Sequence, residues 1–559
     1  MLTIASRNRL LSLFNRFGTE VLILLVFLFF SFFVSYRNLH SSGPLWPDAS
    51  QYANAAAMIH DCIVTGNVLH PYSFAKENYY QYPAFHLPYH PPAYPTLLGM
   101  FFVFAGVSYL SARFFVALCL IVAACFFYAI LRERGLRKTA SFCGGLLLII
   151  TPEVARWSGD SMSEVPSLGL IICASYFLLR WLKSGKLSIF LVTLIIAEAA
   201  FLSRYLVAGI FLAWFVWLLL FGNWRRLITR GVVLSSLVFI VLNIGWILFT
   251  LEFSTLETPL AGPMPNTNYV PMFSPKPLWY DIKTIPAMVG WPMLILAAGS
   301  VVYLFYSRRF RSLGFWFGWL FCYSFMLIVV GIYHESRYFI FALPVFPGLI
   351  SQLLDLNALR KHQRTLAIGM FIIALAAAVS EVKRFPHGLV GYESVGRQLS
   401  VESAPGNVLV AVAEHADLIF RFRSYSPGSN RVFIRADRTL AVRPPAYSDA
   451  KTVKVANDSA DVMDIIRRGR VRYVVTIKPM DRSTDDRSEE MITLDQIARS
   501  NPNDFALVQT FPLLREYTKP GSSWQVFLWR YLGELPQTPS ELPVLIPTAN
   551  MEIRPTSSR

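Results

Sequence analysis

Long runs of apolar residues, separated by short polar stretches, fill most of the chain up to about residue 382. A helix needs about 20 apolar residues to cross the hydrocarbon core of a membrane. By this length criterion the pattern predicts about eleven membrane-spanning helices. They cover residues 20–36, 112–131, 139–153, 165–182, 187–203, 204–222, 231–252, 286–306, 314–333, 338–354 and 366–382.

The charged residues between the apolar runs are distributed unevenly. If the N-terminus lies inside the cell, the inside segments carry 19 Lys and Arg residues, whereas the longer outside loops between spans carry seven. Short cytoplasmic loops of membrane proteins are enriched in Lys and Arg, and this bias sets their orientation. We therefore predict that the N-terminus is inside. The topology also explains the net charge of +16, so a nucleic-acid-binding role loses its main support.

One apolar stretch, residues 91–107, does not fit this alternation as a span. Counting it as one would reverse the side of every later loop and place the basic clusters outside. We therefore predict a juxtamembrane helix here, lying on or dipping into the outer face. It belongs to a long first outer loop that covers about residues 37–111 and is rich in Tyr, Pro and His.

The last 176 residues, 384–559, have a different pattern. They contain no run long enough to span a membrane, and 23 Lys and Arg nearly balance 20 Asp and Glu. Short β-rich runs are mixed with helical pattern such as "DSADVMDIIRRG". The β-rich runs are "NVLVAV", "RVFI", "VRYVVTI", "FALVQTF" and "WQVFLWRYL". We therefore predict a transmembrane domain over 1–383 and a small α/β domain over 384–559.

An odd number of spans with the N-terminus inside places this C-terminal domain outside the cytoplasm. In a bacterium the protein would be a multi-pass inner-membrane protein with a periplasmic or surface-exposed domain. The last residues of the domain, about 25 of them and containing Pro and Ser, are predicted to be a loose tail.

The composition agrees with a polytopic α-helical membrane protein. The chain is 54% hydrophobic and only 15% charged, which is too apolar for a soluble enzyme of this size. The six cysteines include no CxxC pair and no Cys/His cluster. This predicts neither a disulfide framework nor a structural zinc site.

Ionisable residues in the predicted outer loops are candidates for a functional site. Such residues are costly at or inside a membrane and by default mark function. Together they predict a polar site at the outer leaflet, open to both lipid and water. The candidates are Asp48, Tyr52, His90, Asp160, Glu164, Arg204, Glu335 and Arg337.

Each candidate also has a purely structural explanation. Asp48 follows a proline and precedes an alanine-rich helix, where an N-cap role explains it. Glu164 suits the first turn of a span, where a negative charge interacts favourably with the helix dipole. His90 fits an ordinary turn into a helix, and Glu335 with Arg337 fits a local ion pair in a solvated loop. The order and spacing of the residues together favour a functional site.

Five stretches, in their order along the chain, resemble C-type (GT-C) glycosyltransferases. They are "PDASQYANAA", "HPPAYPTLLGMFF", "SGDSMSEVPSL", "SRYLVAGIF" and "HESRYFIFALP". The chain is most similar to the branch that includes protein mannosyltransferase-like and aminoarabinose transferase-like enzymes. The resemblance covers about residues 15–382 and leaves out the C-terminal domain. It implies an enzyme that uses a sugar carried on a polyprenyl phosphate and transfers it on the outer face.

The resemblance also implies roles for individual residues. Asp48 matches the first-loop acid that serves as general base, and Glu164 matches the second-loop acid that helps shape the acceptor or metal site. Arg337 matches the late-loop arginine that would pair with the lipid phosphate, and Arg204 is a second candidate. His90 stands where many members have a lysine before the two prolines, as a further phosphate candidate.

The chemistry of such a transfer agrees with these roles. It is a displacement at the anomeric carbon through an oxocarbenium-like transition state, and a single step inverts that centre. A carboxylate takes the proton of the acceptor, and an arginine stabilises the leaving phosphate. Tyr52, Asp160 and Glu335 would support the acceptor or the loops.

The resulting prediction is a membrane glycosyltransferase. Its donor is a polyprenyl-phosphate sugar, its acceptor is an envelope glycan, lipid or protein, and it contacts membrane lipid but no nucleic acid. No cofactor is required, although a divalent cation held by Asp48 and Glu164 would suit carboxylate ligands. Two alternatives stay open. They are a polytopic transporter or flippase of lipid-linked glycans, and a non-catalytic membrane scaffold with an outer binding domain.

Overall fold

The protein is represented by a computed structural model, in which two compact units are distinguished. The first contains Met1–Leu39, Arg113–Ile244 and Asn268–Phe385, and the second contains His40–Ala112, Gly245–Thr267 and Pro386–Arg559. The residues described are 4–39, 43–44, 46–85, 90–221, 224–254, 273–330, 335–356, 361–384, 391–412, 414–442, 453–456, 458–478, 489–513, 524–537, 544–546 and 551–553.

This division differs from the predicted boundary between 383 and 384. The first outer loop, placed by the sequence with the transmembrane domain, packs into one unit with the C-terminal residues. Asn54 of the loop donates a hydrogen bond from Nδ2 to the backbone oxygen of Ala416 (2.8 Å). Tyr82 and Ala84 belong to the same hydrophobic core as the C-terminal sheet.

The α-helices follow the apolar pattern. In chain order they are α1 Ile4–Leu39, α2 Pro47–Val64, α3 Pro71–Gln81, α4 Ala93–Ala105, α5 Tyr109–Glu133, α6 Lys138–Ile149, α7 Pro152–Trp157, α8 Glu164–Ser184, α9 Leu187–Phe201, α10 Ala208–Phe221, α11 Arg230–Ser254, α12 Lys276–Val289, α13 Trp291–Tyr306, α14 Phe310–Val330, α15 Val345–Leu354, α16 Gln363–Arg384, α17 Tyr392–Val401, α18 His415–Tyr425, α19 Ala436–Thr439, α20 Ser459–Arg468 and α21 Glu489–Ser500.

Each of the eleven predicted apolar runs contains a helix. Within the described residues, four helical segments are long and apolar enough to cross a membrane, and two bent helix pairs raise this number to six. The four segments are Gly18–Tyr36, Tyr109–Glu133, Glu164–Ser184 and Ser312–Val329. These features are those of a multi-pass membrane protein. Several other apolar helices are shorter, so the count of about eleven spans stays a prediction.

Two predicted spans are broken in the structure. The run 286–306 was expected to be one helix, but α12 and α13 meet at Gly290 and are bent by 110°. Gly290 has a φ of 87°, which residues with a side chain rarely adopt, so the helix cannot continue through it. The run 338–354 is divided into a 3-10 helix, Ser336–Ala342, and α15, which are bent by 41°.

The predicted juxtamembrane stretch 91–107 forms α4, which has 13 residues. A helix of this length is too short to cross the hydrocarbon core alone. It packs against α2, where a Cβ on Gly99 would lie 2.7 Å from the backbone oxygen of Ala56. The glycine therefore permits the close approach of the two helices. Whether α4 lies on the membrane surface stays a prediction.

The C-terminal residues form a five-stranded sheet, with the strands in the order β2 (Phe433–Arg435), β1 (Asn407–Ala411), β5 (Val471–Lys478), β7 (Trp524–Tyr531) and β6 (Phe505–Leu513). β1 pairs in parallel with β2 and β5, whereas β7 pairs antiparallel with β5 and β6. The five β-rich runs of the sequence supply these five strands. In chain order the strands are β1 Asn407–Ala411, β2 Phe433–Arg435, β3 Ala441–Val442, β4 Val453–Lys454, β5 Val471–Lys478, β6 Phe505–Leu513, β7 Trp524–Tyr531, β8 Val544–Ile546 and β9 Met551–Ile553.

The end of the chain differs from the predicted loose tail. β8 and β9 pair antiparallel, with Leu545 opposite Glu552. Each strand has three residues, which is too short for the alternation of apolar and polar positions to be recognised in the sequence.

Candidate functional site

A buried ionic cluster in the first unit brings together four residues that the sequence selected, namely Glu164, Arg204, Glu335 and Arg337. Glu164 is the first residue of α8 and its side chain is fully buried. Its Oε1 atom lies 3.0 Å from Nη1 of Arg204 and 3.7 Å from Nη1 of Arg337. Two guanidinium groups thus converge on one carboxylate.

The two arginines share further contacts. Arg337 forms an ion pair between its Nε atom and Oε2 of Glu335. The guanidinium carbons of Arg204 and Arg337 each lie 5.2 Å from the centre of the Tyr338 ring. Aromatic rings attract cations over their faces. Glu164, Arg204, Glu335, Arg337 and Tyr338 are called the Glu164 cluster below.

The residues of the Glu164 cluster lie at or near the beginnings of helical segments rather than in the middle of long helices. Glu164 begins α8, Arg204 precedes the 3-10 turn Tyr205–Val207, and Glu335 precedes the 3-10 helix Ser336–Ala342. A charge at the start of α8 also suits the helix dipole, as expected for a first-turn acid. The expected local ion pair between Glu335 and Arg337 is present, but Arg337 is only 5% exposed, so the pair does not lie in a solvated loop.

Glu153 extends the ionic cluster and was missed by the sequence analysis. Its Oε1 atom accepts hydrogen bonds from Nε1 of Trp157 (2.9 Å) and Oγ of Ser336 (2.7 Å). Its Oε2 atom lies 3.9 Å from Nη1 of Arg156. Ser336 is the neighbour of Arg337, so Glu153 fixes the segment that carries the second arginine.

Tyr323 of α14 is a second residue that the sequence did not single out. Its hydroxyl donates a hydrogen bond to the backbone oxygen of Tyr338. The ring is fully buried and lies within electrostatic range of Arg204, Asp281 and Glu164. Tyr323 therefore holds the backbone beside the cluster in place.

Asp160 is fully buried in the connection between α7 and α8. Its Oδ1 atom accepts a hydrogen bond from the backbone N–H of Ser161 at 2.9 Å. This bond fixes the turn that leads into Glu164, so Asp160 has a structural function in addition to its proposed one.

Asp48 lies in the second unit, in the first turn of α2, and is half-buried. The N-cap expected from the sequence is wrong in detail. Trp46 is the N-cap residue, without a side-chain capping bond, and Pro47 is the first helical residue. The carboxylate of Asp48 therefore interacts favourably with the dipole of α2. This interaction alone does not require the acid to be at position 48.

The remaining first-loop candidates form a packed group in the second unit. The Nε2 atom of His90 lies 2.8 Å from Oε1 of Gln51. The ring of Tyr52 lies 4.2 Å from that of His90 and 5.2 Å from that of Tyr94, measured between centroids. His90 and Tyr52 are 4% and 1% exposed, so both serve the packing of α2 on the turn before α4.

No group of three or more His, Cys, Asp and Glu side chains suited to a metal ion occurs among the residues that the structure describes. In the Glu164 cluster, the positive charges beside the carboxylate of Glu164 come from Arg204 and Arg337. A divalent cation held by Asp48 and Glu164 stays an untested expectation.

Comparison with known proteins gives one family match and several structural matches. The family is described as dolichyl-phosphate-mannose-protein mannosyltransferase, and the match covers residues 89–249. Three of the five stretches that suggested the resemblance lie inside this range. No curated protein sequence matches the chain significantly.

Two solved structures are similar to the chain. The crystal structure of ArnT from Cupriavidus metallidurans bound to undecaprenyl phosphate has a TM-score of 0.55 and 14% identity, covering 91% of this chain and 98% of that chain. The cryo-EM structure of arabinofuranosyltransferase AftD from Mycobacteria has a TM-score of 0.50 and 15% identity, covering 94% of this chain and 40% of that chain.

The chain has a GT-C fold.

The structural matches extend over more than nine tenths of the chain, beyond the part that suggested the GT-C resemblance. The C-terminal residues, which the sequence analysis left out of the resemblance, are thus largely included in the match to ArnT. The GT-C fold confirms the resemblance drawn from the five stretches. At these identities the likeness concerns the fold alone.

Proposed function

We propose that this GT-C protein is a membrane glycosyltransferase that moves a sugar from a polyprenyl-phosphate donor to a cell-envelope acceptor. The observation that carries the proposal is the Glu164 cluster, with its two buried guanidinium groups, on a fold shared with ArnT. That structure is described as bound to undecaprenyl phosphate, which supports a donor of the same chemical class.

We assign the phosphate of the donor to Arg337 and Arg204. The guanidinium group is always charged and its planar fork matches the oxygens of a phosphate. The ion pair with Glu335 fixes the orientation of the guanidinium group of Arg337, and the ion pair with Glu164 fixes that of Arg204. Groups that are fixed before substrate arrives stabilise developing charge without reorganising.

Asp48 is proposed as the general base. Its carboxylate takes the proton of the acceptor hydroxyl while the oxygen attacks the anomeric carbon. The bond from that carbon to the phosphate oxygen breaks, and the electron pair leaves with the polyprenyl phosphate. The products are the glycosylated acceptor with inverted configuration, free polyprenyl phosphate and a protonated Asp48.

The other first-loop residues have supporting roles in the proposal. His90 is assigned to positioning rather than to phosphate binding, because its Nε2 atom is engaged by Gln51 and its ring by Tyr52. Tyr52 then supports the first turns of α2, which carry Asp48. In the first unit, Asp160 supports the turn that leads into Glu164.

We place the protein in a bacterial inner membrane, with the C-terminal residues outside the cytoplasm. The alternation of basic loops supports this orientation. No cofactor is needed for the chemistry, because a lipid phosphate is already a competent leaving group.

Replacement of Asp48 by asparagine tests the proposal. Asparagine keeps the size of the side chain and removes the proton acceptor, so we expect turnover to fall by at least about 100-fold. Purified wild type and Asp48→Asn are incubated with a pool of polyprenyl-phosphate sugars and envelope extract. The release of free polyprenyl phosphate is measured.

Glu534→Gln is the matched control, since Glu534 is an exposed carboxylate in the C-terminal residues. It should leave turnover unchanged, and all three proteins should unfold at similar temperatures. Equal turnover in wild type and Asp48→Asn would reject Asp48 as the base. No turnover in any of them would contradict the proposed donor or acceptor class and favour a transporter.

A further inference from the structure

The second unit contains a cavity that the proposed transfer does not use. It has a volume of about 410 Å³ and is bounded by α2, the end of α4 and the end of α18. Its polar lining includes Asp61, Tyr82, Ser108, Arg423, Ser424 and Ser426. Asp48 and Asp61 are 13 positions apart on α2, which corresponds to about 20 Å along the helix axis. The cavity is thus separate from the proposed base.

Arg423 is the central donor of the cavity. Its side chain is only 4% exposed, and its Nη2 atom lies 2.8 Å from Oδ2 of Asp61. Its Nη1 atom donates to the backbone oxygen of Asn54 at 3.2 Å. Its guanidinium carbon lies 4.5 Å from the centre of the Tyr82 ring. The group is held in place from three sides.

Asp61 supplies the matching acceptor. Its Oδ1 atom lies 2.8 Å from Nδ1 of His60, while Oδ2 pairs with Arg423. Its side chain is 36% exposed, so the carboxylate is still accessible to a ligand. Each carboxylate oxygen has more than one acceptor position. Asp61 can therefore keep both protein contacts and accept further hydrogen bonds.

Hydroxyl groups and an aromatic ring complete the lining. Ser108, Ser424 and Ser426 add groups that both donate and accept hydrogen bonds. Burial raises the pKa of Tyr82 to about 12, so this side chain is neutral at physiological pH. Gly106 and Gly428 also line the cavity, and a Cβ atom at either position would meet no other atom within 4 Å.

The balance of charge decides which ligand fits. A phosphate in this cavity would lie beside the carboxylate of Asp61, which is 36% exposed, and only one guanidinium, that of Arg423, lines the cavity. The Glu164 cluster differs, because it has two guanidinium groups and the carboxylate of Glu164 is fully buried. A sugar hydroxyl donates and accepts at once, so neighbouring hydroxyls match a paired carboxylate and guanidinium. A cavity with a few convergent polar groups of fixed direction is typical of a small-ligand site.

We propose that this cavity binds a neutral saccharide unit. The binding itself does not depend on the transferase activity. Only one extension rests on the proposed function: the saccharide would then be a part of the acceptor glycan remote from the reacting hydroxyl.

Binding is tested with the full chain in lipid nanodiscs, without any donor. Saturation-transfer NMR is recorded with methyl glycosides of arabinose, mannose, galactose and glucose, and with inorganic phosphate as competitor. We expect transfer to at least one methyl glycoside and no displacement by phosphate. Absence of transfer to all four glycosides, or displacement by phosphate, would overturn the proposal.

Ala105→Trp fills the mouth of the cavity, because Ala105 is exposed at the end of α4 and lines it. We expect saccharide affinity to fall at least about tenfold. Val103→Trp is the matched control, since Val103 is 38% exposed on the same helix and does not line the cavity. Unchanged binding in Ala105→Trp would reject the site.

Asp61→Asn is a second variant that tests the charge argument. It leaves Arg423 without its ionic partner, so saccharide binding should fall at least about tenfold and phosphate should begin to bind. Unfolding temperatures are measured for all variants. Retained saccharide binding in a folded Asp61→Asn protein would contradict the assignment. Because no turnover is measured, failure here is distinct from failure of the Asp48 experiment.

Discussion

At the scale of single residues, the Glu164 cluster depends on the identity of its arginines. Arg337 contacts Glu335 through Nε and Glu164 through Nη1, so two edges of one guanidinium serve two carboxylates. The guanidinium carbon of Arg337 lies 5.2 Å from the centre of the Tyr338 ring. A lysine carries the charge but lacks both the fork and the flat face.

Arg337→Lys should therefore lower transferase turnover by about 10- to 100-fold while the protein stays folded. Turnover is measured by the release of polyprenyl phosphate. Arg180→Lys is the matched control, because Arg180 is 50% exposed and pairs at 2.9 Å with Glu133, which is not a member of the Glu164 cluster. An equal loss in both variants would show that the effect is not specific to the Glu164 cluster.

The sequence identified four members of the Glu164 cluster, but it missed Tyr338 and the supporting residues Tyr323 and Glu153. Glu164, Arg204 and Arg337 stand out because charged residues beside apolar runs are costly and therefore noticeable. Tyr323 lies within an apolar run, where a tyrosine is unremarkable. Glu153 is the last residue of the predicted span 139–153, so its charge at the end of an apolar run was a signal that could have been used.

At the scale of elements, Gly290 determines where the helix in the apolar run 286–306 is broken. Gly290 joins α12 and α13 with a φ of 87°. A run of apolar residues reports length and hydrophobicity but carries little information about direction, so the bend of 110° was not foreseen. The flanking Pro286 and Gly290 were the available signals.

Gly290→Ala should destabilise the protein by more than about 1 kcal/mol, because alanine is strained at this φ. The measurement is the unfolding temperature in detergent. Gly299→Ala is the control within α13, where a Cβ meets nothing within 4 Å. It should be neutral or stabilising, since alanine favours helix. A stabilised Gly290→Ala protein would contradict the bend.

The strands were easier to foresee than the bends. β5 and β7 come from runs rich in β-branched and aromatic residues, which favour strands. Their antiparallel pairing, with Val475 opposite Leu528, was not foreseeable, because partners distant in sequence are selected only by the folded sheet.

At the scale of the whole molecule, the first outer loop and the C-terminal residues form one unit. Arg435 donates from Nη1 to the backbone oxygen of Pro83 (3.4 Å) and from Nη2 to Oδ2 of Asp437 (2.7 Å). Burial on its own would raise the pKa of Asp437, but the ion pair and hydrogen bonds with Arg435 outweigh it. The pKa is therefore held well below its usual range.

A lowered pKa in the folded state means that the unfolded chain binds the proton more tightly. The contribution of Asp437 to stability is thus complete above the unfolded pKa of about 3.9, and it is lost as the pH falls toward the lowered folded value. Asp437→Asn should lower the unfolding temperature at pH 7. When the pH is lowered from about 5 to about 3, the Asp437→Asn protein should lose less stability than wild type.

The measurement is thermal unfolding across this pH range. Asp464→Asn is the matched control, because Asp464 is 58% exposed and pairs with Arg468 on the surface of α20. Exposed pairs contribute little, so this variant should follow wild type. Parallel pH curves for Asp437→Asn and wild type would contradict the role of Asp437.

The proposed topology is a second property of the whole molecule. With the N-terminus inside and an odd number of spans, a reporter fused to the C-terminus should lie outside the cytoplasm. In bacteria, a C-terminal alkaline phosphatase fusion should be active and a C-terminal green fluorescent protein fusion dark. The opposite result would require an even number of spans.

The sequence by itself determined the membrane character, the positions of the helices and strands, and which loops carry unusual charge. These follow from hydrophobic length, residue propensity and the cost of charge near lipid, all of which act locally along the chain. Only the tertiary structure decided that Glu164, Arg204 and Arg337 meet and that Arg423 pairs with Asp61. Contacts between residues distant in sequence depend on how whole elements pack, and one sequence does not record that packing in any single segment.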